Sequence, residues 1–343
     1  MTGARPDAPG TGGDAPPAVR VGFVVIGRNE AAHLPACFAS LAAAGRPLVY
    51  VDSESSDDSV AIAQRAGATV VRLDRARALT AARSRNAGAA RLLELDPAVT
   101  AIQFVDGDCE LVAGFVDAAA RELSGDARLG GVCGRLLELH PEASPYNMMC
   151  ALDWRMQRTG DGAYSGIMLV SVASFRAVGG FTEELIAGED PDFAFRLAQS
   201  KWTTRRIVHD MARHDAALAS FGQWWRRTVR TGHSDAELAW RHRRYPGRDR
   251  QREVASTLLW GAALPLAIAL AAALASPAWL AALALYPLLW LRILAREGAA
   301  AGGGADARLY ATACVVAKFA QALGVLRFAL GLAHLLPRRG LIE

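Results

Sequence analysis

The stretch from Val254 to Leu291 carries no charged side chain. One membrane crossing needs about 20 apolar residues, so this stretch is too long for one and suits two. Ser276-Pro277 supplies a turn, and the spacing predicts helices over about 255–274 and 278–294, with Pro265 and Pro287 inside them. Trp260, Trp279, Tyr286 and Trp290 fall near the ends or bends, where interfacial aromatics gather. A Gly-rich connector follows, and then a last apolar stretch over 309–336. That stretch carries Lys318, Gln321 and Arg327, which fits either a third span or a helix lying in the interface. The competing reading of all three is buried helices of a soluble core. A mean hydropathy of +0.15 is high for a soluble enzyme and low for a polytopic transporter, so a soluble body joined to a membrane piece is expected.

Charge orients that piece. Between Lys201 and Arg252 there are 13 Lys or Arg against 5 Asp or Glu, and Arg241, Arg243, Arg244, Arg248, Arg250 and Arg252 stand just before the first span. The positive-inside rule puts that side, and the body, in the cytoplasm, at the cytoplasmic (inner) membrane. Arg338 and Arg339 favour a cytoplasmic C-terminus. The overall net charge of +4 is too small to argue for nucleic acid. Five cysteines (Cys37, Cys109, Cys133, Cys150, Cys314) form no CxxC pair, which argues against a disulfide framework and fits a reducing compartment.

Residues 1–18 are mostly Gly, Pro, Ala, Thr and Asp, and read as a disordered tail. From Val19 the pattern is α/β. Strands are expected at 21–26, 47–51, 69–73 and 101–105, alternating with helices at 30–44, 59–66 and 80–94. Leu34, Phe38 and Leu41 share one face of the first helix. Such alternation implies βαβ units, a mostly parallel sheet and ligands beyond the carboxyl ends of the strands. A further strand region at 130–134, a strand at 165–172, and helices at 173–178 and 192–199 complete the body.

The polar clusters fall where ligands are expected. Asp106-Gly-Asp108 ends the fourth strand. Two carboxylates so spaced can share a hard divalent cation, although many solvated turns contain the same pattern. Gly188-Glu-Asp-Pro-Asp192 opens a helix. Asp190 is a helix cap, with Glu189 and Asp192 complementing the dipole, or a general base for an acceptor hydroxyl. Asp52 begins a turn with Ser53 and Ser55 or accepts a hydrogen bond from a nucleobase. Arg83, Arg85 and Asn86 form a solvated helix face or contact a diphosphate. His214 is a structural hydrogen-bonder or a ligand. Gln223-Trp-Trp-Arg-Arg227 packs as an amphipathic helix or stacks on a sugar or base, with Arg226 near phosphate.

In this order the clusters resemble the family 2 glycosyltransferases, with their glycosyltransferase A-type, Rossmann-like fold, over roughly 19–232. The series is Gly27-Arg-Asn-Glu30, Asp52-Ser-Glu-Ser-Ser-Asp57, Arg83-Ser-Arg-Asn-Ala-Gly88, Phe104-Val-Asp-Gly-Asp108, Val178-Gly-Gly-Phe181, Gly188-Glu-Asp190 and Gln223-Trp-Trp-Arg226. The resemblance implies that Asn29, Glu30 and Asp52 hold the nucleotide, and that Asp106 and Asp108 bind Mg²⁺ or Mn²⁺ with the nucleotide-sugar diphosphate. It implies Glu189 and Asp190 as the catalytic pair, with Asp190 the base. Arg28, Arg83, Asn86, Gln223 and Arg226 are further expected donor contacts, and His214 a further metal ligand. There are two departures: Glu54 stands where the family has a small residue, and Arg227 replaces the final Trp of the processive members' Gln-x-x-Arg-Trp motif.

The expected organisation is a tail (1–18), a catalytic domain (19–232), a basic juxtamembrane segment (233–254) and membrane helices (255–336). The expected activity is inverting, hexosyltransferase-like transfer from a nucleotide-sugar donor to a hydroxyl of a membrane-associated, polyprenyl-linked glycan, in cell-envelope or exopolysaccharide synthesis. Other envelope-glycan assembly proteins are further expected partners. The alternatives are a polyprenyl-phosphate glycosyltransferase, a sugar nucleotidylyltransferase, for which the first turn has too few glycines, and a non-catalytic membrane scaffold.

Overall fold

Four short apolar strands come first, each ending in polar residues. They are β1 (Val21–Gly27), β2 (Leu48–Asp52), β3 (Thr69–Arg72) and β4 (Ala101–Asp106). The computed structural model describes residues 19–42, 45–245 and 249–333. The expected tail at 1–18, Arg248, the end of the last apolar stretch at 334–336, and Arg338 and Arg339 lie outside the described residues. β1 pairs in parallel with β2 and β4, and β2 with β3. Helices α1 (Leu34–Ala42), α2 (Ser59–Arg65) and α3 (Ala81–Leu95) make the connections. Leu34, Phe38 and Leu41 of α1 are buried together, each contributing roughly 1.5–3 kcal/mol of hydrophobic stabilisation. α3 starts at Thr80, whose side chain accepts a hydrogen bond from Arg83 N at 3.1 Å. It lies tight on the sheet at Gly88, where a Cβ would stand 2.3 Å from Val24 Cγ1.

Beyond β4 the sheet turns mixed. Its order is β3-β2-β1-β4-β8-β6-β9-β5, with β7 also on β9. The added strands are β5 (Cys109–Leu111), β6 (Leu129–Glu138), β7 (Gly160–Asp161), β8 (Leu169–Ser171) and β9 (Thr203–His214). β6 and β9 are parallel, while β5 and β9 are antiparallel with Cys109 opposite His214. That register brings His214 beside the end of β4. The strand expected at 165–172 is shorter, because Gly166 and Ile167 bend before it and Val172 already starts a helix. Helices α4 (Phe115–Gly125), α5 (Pro145–Arg155), α6 (Val172–Ala177) and α7 (Glu189–Gln199) pack around these strands. The five cysteines are free thiols.

α8 (Phe221–Arg241) is one continuous helix, opened by a capping box between Ser220 and Gln223. Three helices after it are long and apolar enough to cross a membrane: Arg250–Leu274, Pro277–Glu297 and Gly304–Leu332. The first comprises α9 (Asp249–Leu258), a wide π turn (Leu259–Ala263) and α10 (Leu264–Leu274). The wide turn accommodates Pro265, which lacks an N–H and would clash with the preceding turn of a regular helix. The second ends in α11 (Leu285–Glu297), and the third is α12 (Gly304–Leu332). Leu266, Leu274 and Leu288 are 61%, 84% and 58% exposed, an apolar surface suited to lipid and not to water. α12 packs against α8 through glycines. A Cβ on Gly232 would stand 2.2 Å from Gln321 O, and one on Gly324 2.1 Å from Val229 O. Small residues at a crossing let two backbones approach this closely.

Candidate active site

The carboxyl ends of β1, β2 and β4 open into a cleft of ≈ 880 Å³, closed on its other sides by the start of α7 and by α8 and α9. Arg28, Glu30, Asp106, Asp108, Glu189, Asp190 and His214 all line it, as does Ser53 beside Asp52. The sequence clusters that lie far apart along the chain therefore meet in one place.

Arg85 stands at the centre, with a side chain only 3% exposed. Its Nη1 donates to Glu189 Oε1 at 2.7 Å and its Nη2 to Asp106 Oδ1 at 2.9 Å, while Asp190 Oδ1 lies 3.5 Å from Nη1. One guanidinium fork thus joins the end of β4 to the start of α7. The joint leaves no room behind it: a Cβ on Gly166 would come within 2.6 Å of Arg85 Nη2 and 2.9 Å of Asp190 Oδ2. The N-cap of α7 is Gly188, at φ +83°, so Asp190 is not the cap but a first-turn residue. Asp190 Oδ1 has no hydrogen-bond partner among the described residues. Enclosure in the cleft and the charge of Glu189 push its carboxyl up to about 7, against the pull of Arg85. Asp192 in the same turn does structural work. It accepts from Thr182 Oγ1 at 2.6 Å and Arg196 Nε at 2.8 Å, and meets His242 Nε2 at 2.9 Å.

Asp108 Oδ2 lies 3.2 Å from His214 Nε2. Burial of Asp108 raises its pKa, but the hydrogen bond and charge of His214 outweigh that and hold it below the ordinary carboxylate value. The His214 Nδ1 has no partner. Ligand atoms of Asp108, Cys109 and His214 lie within 4.8 Å of one another. Carboxylate oxygens and an imidazole suit Mg²⁺ or Mn²⁺, and Asp106 can add an oxygen not taken by Arg85. The Cys109 thiol is pushed up by burial, stays protonated and does not fit a hard cation.

On the nucleotide side, Asp52 is buried. Its Oδ2 accepts from Ser55 N at 3.1 Å, and its Oδ1 has no partner among the described residues. Asn29, at φ +58°, braces the neighbouring turn by accepting from Ser56 N at 2.8 Å. Glu30 N donates to Ser59 Oγ at 2.9 Å, and the Glu30 carboxylate lies 3.0 Å from His33 Nδ1. Glu54 also sits at φ +58°, the left-handed conformation that a non-glycine residue adopts at a cost of roughly 1–2 kcal/mol, and it forms an ion pair with Arg75.

Four expected donor contacts are placed elsewhere. Arg83 turns away from the cleft and donates to Asp74 O at 2.9 Å and Arg77 O at 3.1 Å, holding the loop before α3. Asn86 is spent on the Gly-Gly-Phe loop, through Phe181 O and Phe181 N, both at 2.8 Å. Gln223 closes its capping box, accepting from Ala219 N at 2.8 Å and Ser220 N at 3.0 Å. Arg226 is exposed on the outer face of α8, and Arg227 and Arg230 line the cleft instead. Helical periodicity carried that signal, since 227, 230, 231 and 234 share one face.

A parallel sheet that turns mixed beyond β4, with carboxylates and a buried arginine at its strand ends, is the arrangement of the glycosyltransferase A-type fold. Residues 23–136 match the family model described as glycosyl transferase family 2, and 147–216 that described as the N-terminal domain of galactosyltransferase. Both models describe glycosyltransferases, and each covers less than half of the chain. A comparison with curated protein sequences finds no match. Among solved structures, the chain is similar to the mannosyltransferase PcManGT from Pyrobaculum calidifontis, in complex with GDP-Man and Mn²⁺. The TM-score is 0.57 at 18% identity, covering 90% of this chain and 87% of that one. Glucosyl-3-phosphoglycerate synthase from Mycobacterium tuberculosis matches at a TM-score of 0.46 and 17% identity, covering 70% of this chain and 86% of that one. The first likeness supports the fold.

Proposed function

We propose that the protein transfers a sugar, with inversion, from a nucleotide-sugar donor to a hydroxyl of a membrane-associated, polyprenyl-linked glycan. The observation that carries this reading is Asp190: an unbonded carboxylate oxygen in the cleft, on a group with a pKa of about 7, 3.5 Å from the arginine that also holds Asp106. A base with a pKa near the working pH is matched to taking a proton from a hydroxyl. Arg85 orients Asp190 and Glu189 and fixes their distance from Asp106. Asp52 and Arg28 serve the nucleotide, Asp52 through its free Oδ1. Asp108, His214 and Asp106 are the residues that would hold Mg²⁺ or Mn²⁺, which when bound neutralises charge on the donor diphosphate. The mannosyltransferase neighbour bound to GDP-Man and Mn²⁺ is consistent with a nucleotide-sugar donor and a divalent metal.

The three apolar helices support an anchor, and the arginines before the first of them support a cytoplasmic catalytic side. An anchored catalytic body fits an acceptor that is itself in the membrane and a role in envelope or exopolysaccharide assembly. A thermal-shift screen of sugar nucleotides with Mn²⁺ tests the donor half of this reading. A ligand that binds only the native state raises its stability, by about 2.7 kcal/mol at a hundredfold excess over Kd. At least one sugar nucleotide is expected to raise Tm in wild type and fail to do so in Asp108→Asn. No response to any nucleotide with Mn²⁺ would return the chain to the scaffold reading.

A further inference from the structure

Two arginines in the cleft hold no carboxylate at ion-pair distance among the described residues. Arg227 and Arg230 line it from α8, one helical turn apart, a spacing that sets their Cβ atoms about 5–6 Å from each other. Neither guanidinium makes a hydrogen bond or an ion pair among the described residues. This sets them apart from Arg85, clamped between carboxylates, and from Arg250, which donates to Asp235 at 3.1 Å. Asp153 and Cys150 of α5 and His214 of β9 interact with Arg227, and Glu189 of α7 interacts with Arg230. Desolvation at the cleft wall and the charge of Arg227 lower the pKa of Arg230, against the pull of Glu189. Like charges one turn apart repel, and an anion between them removes that cost. Guanidinium forks at this spacing match the oxygens of a phosphate.

The position narrows the source. Arg250 lines the same cleft and begins the apolar helix Arg250–Leu274. Beyond it that helix exposes Leu259 and Leu266, at 51% and 61%. A phosphate held at α8 thus lies where an attached hydrocarbon tail can pass directly onto a lipid-suited surface. We propose that Arg227 and Arg230 seat the phosphate or diphosphate of a prenyl-linked acceptor, whose tail lies along the helix Arg250–Leu274. This rests on reading the cleft as a sugar-transfer site. It adds that the acceptor is recognised by its phosphate, through side chains other than Asp52, Asp106 and Asp108.

The test is binding of farnesyl phosphate and of farnesol to the full-length protein in detergent, read by thermal shift. UDP–Mn²⁺ and GDP–Mn²⁺ are titrated in parallel. Wild type is expected to bind farnesyl phosphate at least about tenfold more tightly than farnesol, and an Arg227→Gln/Arg230→Gln variant to lose that preference. The nucleotide response of the variant stays within about twofold of wild type, which also reports that it is folded. Equal binding of farnesyl phosphate and farnesol by wild type overturns the proposal without recourse to any variant. So does a variant whose nucleotide response falls while its farnesyl phosphate binding persists, because the arginines would then serve the donor diphosphate. No turnover is needed. Failure of the transfer reading would appear as no response of wild type to any sugar nucleotide with Mn²⁺, and failure of this proposal as an absent phosphate preference.

Discussion

Arg85 Nη1 donates to Glu189 Oε1 at 2.7 Å, across two elements the chain builds far apart. The contact joins α3 to α7, and the same guanidinium holds Asp106 at the end of β4. Removing one partner of a buried ion pair costs about 3–5 kcal/mol, because the other charges are left uncompensated. Arg85→Ala is therefore expected to lose stability on that scale, measured by denaturant unfolding. Arg85→Lys keeps the charge but cannot reach Asp106 and Glu189 with one planar fork, and is expected to fold yet transfer poorly.

With Asp190 as the proposed base, activity and stability are expected to depend on pH in opposite ways. The base must be ionised, so kcat/KM is expected to rise with pH through about 7. Its folded pKa lies above the ordinary 3.8 of an unfolded aspartate, so between those values the native state holds more protons than the unfolded one. This contribution to stability is full below pH 3.8 and is lost as pH rises through about 7. Tm of wild type is expected to fall more steeply between pH 5 and 8 than that of Asp190→Asn. Parallel Tm profiles would contradict the raised pKa.

Asp192 behaves in the reverse way. Burial raises its pKa, but His242, Thr182 and Arg196 together bring it down to about 2. Its contribution is present above 3.8 and is lost as pH falls through about 2. Because it ties α7 to His242 just beyond α8, Asp192→Ala is expected to cost about 3 kcal/mol or more, leaving Arg196 and His242 without their acceptor. Chemical unfolding at pH 7 measures this.

The α8–α12 crossing tolerates no side chain. With a Cβ on Gly232 2.2 Å from Gln321 O, Gly232→Val must push the helices apart. Overpacking of this kind costs about 1–3 kcal/mol, occasionally more. The variant is expected to melt lower in detergent and to be cut faster by protease near α12. An unchanged protease pattern would mean that the crossing is dispensable.

The first half of the sheet was legible because β1, β2 and β4 are apolar runs that stop at polar clusters. β9 was not, since Thr203–His214 mixes in Arg205, Arg206, Asp210 and Arg213. Its arginines are satisfied by pairings no local pattern reveals: Arg205 with Asp161 at 2.6 Å, and Arg206 with Tyr164 O at 2.6 Å. Missing β9 meant missing how His214 reaches Asp108, which depends on the β5–β9 register. Placement at the cleft was legible where a cluster ends a strand, as at Asp106 and Asp108. It was not legible on helices, where direction depends on rotation. Arg83 and Arg85 point to opposite sides of α3, two residues being about 200° of turn. One braces a loop, and the other anchors the cleft. The same rotation separates Arg226 from Arg227 and Arg230.

The central claim is that Asp190 takes the proton from an acceptor hydroxyl. It is tested most directly by the transfer rate of Asp190→Asn in the purified full-length protein, with the donor and acceptor that wild type uses. Nucleotide binding is measured on the same sample. The account predicts a fall in kcat of about 10²–10⁴, with nucleotide affinity retained. Transfer within about threefold of wild type would contradict it, and would make phosphate itself the group that receives the sugar.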